Sequence, residues 1–234
     1  MAEALIHRLA EVGSTMDAAR TLAEAGALHG TAVSARIQTG GRGRSGRQWL
    51  SPAGNLYVTI ILRPGGDARH APELGFVCAL ALAEAVDGLA GPGTRLKWPN
   101  DVLRNGAKLA GILLERLPDG AVLAGIGVNV ALQPEGMPYP VTSLRALDSP
   151  AEPEDVLTAL LARLHAGWAV WQASGFAAVL ARWRERGPVL GATLRVRLET
   201  GIVTGSFAGL GEDGSLQLET GTGRRTLVAG DVLL

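Results

Sequence analysis

The segment best suited to chemistry is GGRGRSGR, residues 40–47, which combines four glycines with three arginines. Glycine lets backbone amides approach an anion without an intervening Cβ, and guanidinium groups match phosphate oxygens in a forked geometry. The segment therefore predicts a site for a nucleotide triphosphate. A flexible basic loop or an RNA-binding patch would have the same composition, and the spacing does not match the P-loop pattern G-x-x-x-x-G-K-[ST].

Three further segments place polar residues beside predicted strands. KWPND, residues 97–101, follows a short strand, and Pro99 fixes the backbone angle there. KLAGIL, residues 108–113, brings a lysine into an apolar strand, and GIGVN, residues 125–129, ends the next strand. Taken singly, these segments also fit an ordinary strand exit, a solvated edge lysine and a glycine bulge.

The elements that would position these segments predict an α+β fold with a mainly antiparallel sheet. Asn105 and Gly106 predict a tight hairpin, because both residue types tolerate positive φ angles. Glycine-rich alternation after residue 187 predicts a small β-barrel that packs on the larger domain. Helices are predicted over residues 17–25, 72–89 and 153 to about 186, and strands over residues 31–37, 56–62, 96–98, 102–103, 108–115 and 122–130.

Composition excludes several classes of function. The 22 lysines and arginines balance 22 aspartates and glutamates, so no overall field attracts nucleic acid or an anionic membrane. Cys78 is the single cysteine, which excludes an intrachain disulfide and a cysteine-based metal cluster, and the four histidines lack zinc-ligand spacing. The chain start lacks the apolar stretch of a signal peptide. We therefore predict a cytoplasmic protein without DNA or membrane partners and without a dedicated metal site.

The order of the segments resembles that of the biotin–protein ligase family over residues 12–130. Ser14 and Thr15 come first, then Gln38 with GGRGRSGR and Trp49, then KWPND, KLAGIL and GIGVN. The ending AGDV, residues 229–232, resembles the family's SH3-like C-terminal barrel. The resemblance implies a class II synthetase-like catalytic domain over residues 1–186, with a mixed, mainly antiparallel sheet and helices, followed by the SH3-like β-barrel over residues 187–234.

The resemblance also implies a reaction in two steps. Biotin is activated with ATP and Mg²⁺ to biotinyl-5'-AMP, and biotin is then transferred to a lysine of a biotin carboxyl carrier protein. Lipoate–protein ligases share this fold and logic, but Gln38 with the arginine-rich loop favours biotin. A binding module that holds RNA, or that holds the adenylate without transferring it, is the alternative of another class.

Residue roles follow from the resemblance. Arg42 and Lys108 would meet the biotin carboxylate and the α-phosphate, and Asp101 would orient or deprotonate the acceptor lysine. The predicted biotin contacts are Ser14, Thr15, Gln38, Arg42, Trp49, Lys108, Leu109 and Gly111. The predicted ATP and adenylate contacts are Gly41, Gly43, Arg44, Arg47, Lys97, Asn100 and Asn129.

Two departures from the family pattern stand out. Many members carry a further arginine where this chain has Ser45, and members that act as repressors carry an N-terminal DNA-binding domain. We therefore expect weaker retention of the adenylate and a ligase without operator binding. An exposed sheet edge would permit a homodimer.

Overall fold

A computed structural model describes residues 5–65 and 70–234, so residues 1–4, where the predicted catalytic domain begins, lie outside it. The described residues form two sheets and three α-helices. The helices are α1 (Thr15–Glu24), α2 (Ala71–Ala90) and α3 (Pro153–Arg186). The strands are β1 (Ile6–Val12), β2 (Ala32–Gln38), β3 (Leu56–Leu62), β4 (Thr94–Lys97), β5 (Asp101–Arg104), β6 (Ala107–Arg116), β7 (Val122–Val128), β8 (Thr193–Leu198), β9 (Gly201–Leu210), β10 (Leu216–Thr220), β11 (Gly223–Leu227) and β12 (Asp231–Val232).

The larger sheet has the strand order β1-β2-β3-β7-β6-β5-β4. β1 runs parallel to β2, and the other neighbouring pairs are antiparallel, which confirms the predicted mixed, mainly antiparallel sheet. Asn105 and Gly106 join β5 to β6 with φ angles of 50° and 75°, as the sequence predicted. β1 itself was not predicted, because its residues alternate only weakly between partly buried and exposed positions.

Both faces of the larger sheet are covered. Side chains of a strand alternate between the two faces, and β3 shows this because Ile60 lies in the core beneath α2 and α3 while Ile61 lies in a second core beneath α1. β3 is therefore buried along its whole length and is mostly apolar. Among the described residues, no helix combines the length and the apolarity needed to cross a bilayer.

The helix ends follow ordinary capping rules and fix where the loops begin. The Ser14 hydroxyl caps α1 by accepting a bond from the backbone amide of Met16, and Gly26 follows the helix with a φ of 89°. α3 begins with a capping box between Glu152 and Asp155. The cap places Ser14, and Thr15 after it, at the entrance of α1, beside β2.

The smaller sheet has the strand order β11-β10-β9-β8-β12, with every pair antiparallel. It packs on the rest of the protein, as predicted: the indole Nε1 of Trp98 donates to the Gly214 carbonyl at 3.0 Å. Val196 and Phe207 of the smaller sheet belong to the same core cluster as α2 and α3. The two sheets therefore meet across a shared interior.

Candidate active site

A cavity of about 630 Å³ lies where the larger sheet, the arginine-rich loop and the smaller sheet meet. The structure brings most of the predicted site residues to its walls. Those that line it are Ser14, Thr15, Gln38, Arg42, Gly43, Arg44, Arg47, Trp49, Lys97, Asn100, Asp101, Lys108 and Gly111.

The apolar part of the cavity is built on two glycines beneath a tryptophan. Gly111 of β6 and Gly127 of β7 pair directly across the sheet. A Cβ on Gly127 would lie 2.5 Å from Trp49 Nε1, and one on Gly111 would lie 3.1 Å from the same ring. Only glycine therefore admits the indole at this depth. Trp49 Nε1 is buried without a hydrogen-bond partner among the described residues, which costs free energy that a ligand acceptor would recover.

Next to this apolar wall, a buried polar network joins α1 to β2. Gln38 Oε1 accepts bonds from the Thr15 amide at 2.8 Å and the Thr15 hydroxyl at 3.0 Å. Gln38 Nε2 donates to Ser51 Oγ at 3.0 Å, and the Thr15 hydroxyl also meets that of Thr59 at 2.9 Å. The network fixes the orientation of the Gln38 amide. Ser51 and Thr59 were not predicted, because their participation depends on pairing between distant segments.

The arginine-rich loop lines the cavity with its side chains, while backbone amides of the loop bond within the loop. Its ends are joined by an isolated bridge between Arg42 and Gln48, and the Gly43 amide donates to the Arg47 carbonyl at 2.7 Å. Arg42 makes a bidentate pair with Asp17, at 2.9 Å and 2.7 Å. This pair holds the pKa of Asp17 below its usual range. Arg42 is thus oriented by a carboxylate at the cavity wall.

A buried carboxylate lies between two lysines at the centre of the cavity. Asp101 Oδ2 is 2.7 Å from Lys97 Nζ, and its Oδ1 is 2.7 Å from Lys108 Nζ. Burial alone would raise the pKa of Asp101, but the charges of Lys108 and Lys97 outweigh it and hold that pKa below its usual range. Lys108 Nζ also lies 5.4 Å from the centre of the Trp49 ring. Asp101 thus holds the two lysine side chains in place.

The smaller sheet contributes a second carboxylate. Asp231 of β12 accepts from Arg47 at 2.8 Å and from Arg44 at 3.3 Å. Arg44 also donates to Asn100 Oδ1 at 3.0 Å and to the Gly230 carbonyl at 3.1 Å. Lys97 Nζ donates to the Val232 carbonyl at 2.8 Å. The loop, the β4–β5 turn and β12 are therefore held together by charged groups.

Three predicted residues do not line the cavity. Leu109 is fully buried in the main core, where the register between β5 and β6 shifts. Asn129 lies behind the wall and donates to the Thr142 carbonyl at 3.0 Å. Gly41 lies against the Trp49 carbonyl, and a Cβ on Gly41 would lie 2.3 Å from that oxygen. Ile112, Leu113 and Gly127 line the cavity instead.

A segment without a predicted role closes one side of the cavity. Met137, Pro138 and Tyr139 line it, and the Lys108 amide donates to the Pro140 carbonyl at 2.9 Å. Tyr139 lies with its ring centre 5.8 Å from Lys108 Nζ. Burial, followed by the charge of Asp101, raises the pKa of Tyr139. The sequence offers no local signal for this placement, since the segment lies in an irregular loop.

Family models match both parts of the chain. The model described as the Biotin/lipoate A/B protein ligase family matches residues 11–132, and the model described as the Biotin protein ligase C terminal domain matches residues 189–234. The chain belongs to the biotin/lipoate A/B protein ligase family. The second match covers the five strands of the smaller sheet.

Individual members of the family align over most of the chain. The biotin–[acetyl-CoA-carboxylase] ligase of Paracoccus denitrificans is 42% identical over 96% of this chain and 98% of its own length. The bifunctional ligase/repressor of Bacillus subtilis is 33% identical over 95% of this chain and 72% of its own. The Aquifex aeolicus biotin protein ligase in complex with biotin and ATP superposes with a TM-score of 0.84 at 30% identity, covering 98% of this chain and 97% of that one.

Proposed function

We propose that the protein is a biotin–protein ligase, which forms biotinyl-5'-AMP from biotin and ATP and transfers biotin to a lysine of a biotin carboxyl carrier protein. The observation that carries the proposal is one cavity that joins the glycine-floored Trp49 wall and the Thr15–Gln38 network to a strongly cationic region. Biotin is apolar with a polar ureido end and a carboxylate, and ATP supplies the polyanion. The similarity to the Paracoccus biotin–[acetyl-CoA-carboxylase] ligase and to the Aquifex biotin protein ligase in complex with biotin and ATP supports this assignment.

For biotin, we assign the bicycle to the wall formed by Trp49, Gly111 and Gly127, and the ureido group to the neighbourhood of Thr15 and Gln38. An apolar wall with a few fixed polar groups is the usual design of a small-molecule site. Ser14 also lines this end of the cavity, and its hydroxyl caps α1.

In the first step, a carboxylate oxygen of biotin attacks the α-phosphorus of ATP. The bond to the oxygen bridging the α- and β-phosphates breaks, and its electron pair leaves with pyrophosphate. Arg42 would receive the biotin carboxylate, and its bidentate pair with the Asp17 carboxylate supports this role. Lys108 would lie against the α-phosphate. Fixed cations of this kind stabilise the charge that develops in the transition state.

In the second step, the amine of the acceptor lysine attacks the carbonyl of the mixed anhydride, and AMP leaves. The sequence predicted that Asp101 orients or deprotonates this amine. Its ion pairs with Lys97 and Lys108 and its lowered pKa favour a different assignment, in which Asp101 positions the two lysines for the first step. A base role would require Asp101 to exchange one of these lysines for the acceptor amine.

We assign the remaining adenylate contacts by position. Arg44, Arg47, Lys97 and Asn100 form the polar wall toward the phosphates, and Gly43 lies in the same wall. Gly41 and Asn129 would act indirectly. Gly41 leaves room for Trp49. Asn129 anchors the segment that follows β7.

Magnesium fits this cavity as an ion carried by ATP rather than by the protein. The described residues contain no group of three or more acidic, histidine or cysteine side chains that could hold it. Of the two carboxylates on the wall, Asp101 contacts two lysines and Asp231 two arginines. Mg²⁺ often keeps waters and binds chiefly through substrate phosphates. Bound in this way, it would neutralise phosphate charge.

Several wider predictions belong to this proposal. The catalytic domain would span residues 1–186 and the SH3-like barrel residues 187–234. The free, buried Cys78 favours a cytoplasmic setting. β1 is an edge strand of the larger sheet and would be available for homodimer pairing, which light scattering would test.

Mass spectrometry of an added carrier domain tests the proposed function. With biotin, ATP and Mg²⁺, the protein should add one biotin to the carrier, and a lysine-to-arginine carrier variant should remain unmodified. A lipoyl mass in a parallel reaction with lipoate, without a biotin mass, would move the protein to the sister activity. Formation of the adenylate without transfer would indicate a sensor.

A further inference from the structure

One face of the smaller sheet directs two arginines at the cavity. Arg195 and Arg197 are two residues apart on β8, so their side chains point to the same face, and both line the cavity together with Ile202 of β9. Both arginines are exposed. Within residues 5–65 and 70–234, neither guanidinium forms a hydrogen bond or an ion pair with a protein group. Neither arginine was among the predicted site residues.

One of these arginines lies beside a carboxylate that two other arginines bind. Arg197 stands directly opposite Asp231 in the antiparallel pair of β8 and β12, and residues opposed in this way share one face of a sheet. The Asp231 carboxylate accepts bonds from Arg44 and Arg47 of the arginine-rich loop. Two arginines of the loop therefore bind the carboxylate that lies opposite an arginine of β8.

Five of the cations that line the cavity share three carboxylates, and the two arginines of β8 have no carboxylate partner among the described residues. Seven lysine and arginine side chains line it, against the two aspartates 101 and 231 among the described residues. Asp101 is buried between Lys97 and Lys108 and pairs with neither arginine. Unpaired arginines beside cations that share one carboxylate match a ligand with several negative oxygens, because each guanidinium can receive two of them.

We propose that Arg195 and Arg197 form the subsite for the β- and γ-phosphates of ATP and for the departing pyrophosphate. The inference rests on the proposed function, in which Arg42 and Lys108 take the biotin carboxylate and the α-phosphate. The leaving group gains negative charge as the α–β bridge breaks, so cations on the far wall stabilise it in the transition state. The smaller sheet thus supplies part of the adenylation site, and Asp231 occupies the place of a phosphate until ATP binds.

The test uses the full-length variants Arg195→Gln, Arg197→Gln and the double variant. Arg225→Gln is the matched control, because it removes the same charge from an exposed position on β11 that does not line the cavity. Biotin-dependent exchange of labelled pyrophosphate into ATP gives the KM values for ATP and pyrophosphate. Transfer from purified biotinyl-adenylate, in which pyrophosphate takes no part, serves as the internal reference, and thermal melting checks folding.

The proposal predicts that the double variant raises both KM values by about tenfold or more relative to the transfer reference, because bonds from charged donors to the phosphates are lost. Arg225→Gln should match the parent protein. Unchanged constants for ATP and pyrophosphate in a folded double variant would overturn the proposal. So would a rise confined to the KM for the carrier domain, which would assign the arginines to acceptor docking. If the parent protein shows no biotin-dependent exchange at all, the proposed function fails, and this subsite with it.

Discussion

Replacing Gly127 by alanine is expected to weaken biotin binding more than any other single-methyl change in the cavity. The new Cβ would lie 2.5 Å from Trp49 Nε1 and Cε2, about 1 Å inside the ordinary contact distance between non-bonded atoms. The indole must therefore leave its position on the sheet. Overpacking of this kind costs about 1–3 kcal/mol, which corresponds to about a fivefold to hundredfold loss of affinity.

A series of glycine variants makes this prediction quantitative. Gly111→Ala should have a smaller effect, because its Cβ would lie 3.1 Å from the same ring. Gly88→Ala on the exposed side of α2 is the control, since a Cβ there meets nothing within 4 Å and alanine suits a helix better. The assay is the KM for biotin in pyrophosphate exchange, with the KM for ATP measured on the same samples. An unchanged KM for biotin in a folded Gly127→Ala protein would refute the placement of biotin against Trp49.

Three further predictions concern titratable groups. Asp101→Asn should slow adenylation more than transfer and lower the free energy of unfolding by about 3 kcal/mol or more, because Lys97 and Lys108 lose a buried counter-charge; stopped-flow measurement of each half-reaction tests this, and slowing of transfer alone would restore Asp101 as the base. Burial, then the charge of His165, lowers the pKa of His29, so folding favours the neutral ring, and the stability it contributes above the unfolded pKa of about 6.5 is lost as pH falls below that value. Urea unfolding at about pH 8 and about pH 5.5 should show a smaller pH effect in His29→Gln than in the parent, and equal effects would count against it. Burial raises the pKa of the Cys78 thiol to about 12, so a thiol reagent should label it only as the protein unfolds, and fast labelling of the native protein would contradict its placement in the core.

Much of the fold follows from local patterns in the sequence. β3 spans residues 56–62 as predicted, because seven consecutive apolar or β-branched residues between turn signals leave few alternatives. The hairpin at Asn105 and Gly106 follows from turn chemistry alone. Most of the predicted site residues that line the cavity lie at strand ends, at a helix cap or in the arginine-rich loop, where neighbours in sequence determine position.

The features that escaped prediction depend on distant pairing. Arg44 meets Asp231 across 187 residues of sequence, and no local pattern signals that contact. Leu109 faces the core because the register between β5 and β6 shifts beside it, which strand periodicity does not reveal. β1 joins the sheet only through its parallel pairing with β2. In each case, a neighbour supplied by another part of the chain decides the outcome.

Pyrophosphate exchange into ATP, measured side by side with biotin and with lipoate, tests the central claim most directly. The account predicts exchange that depends on biotin, and loss of that exchange at low biotin concentration in Gly127→Ala but not in Gly88→Ala. Exchange supported by lipoate and not by biotin, or by neither acid, would contradict the claim that this cavity activates biotin.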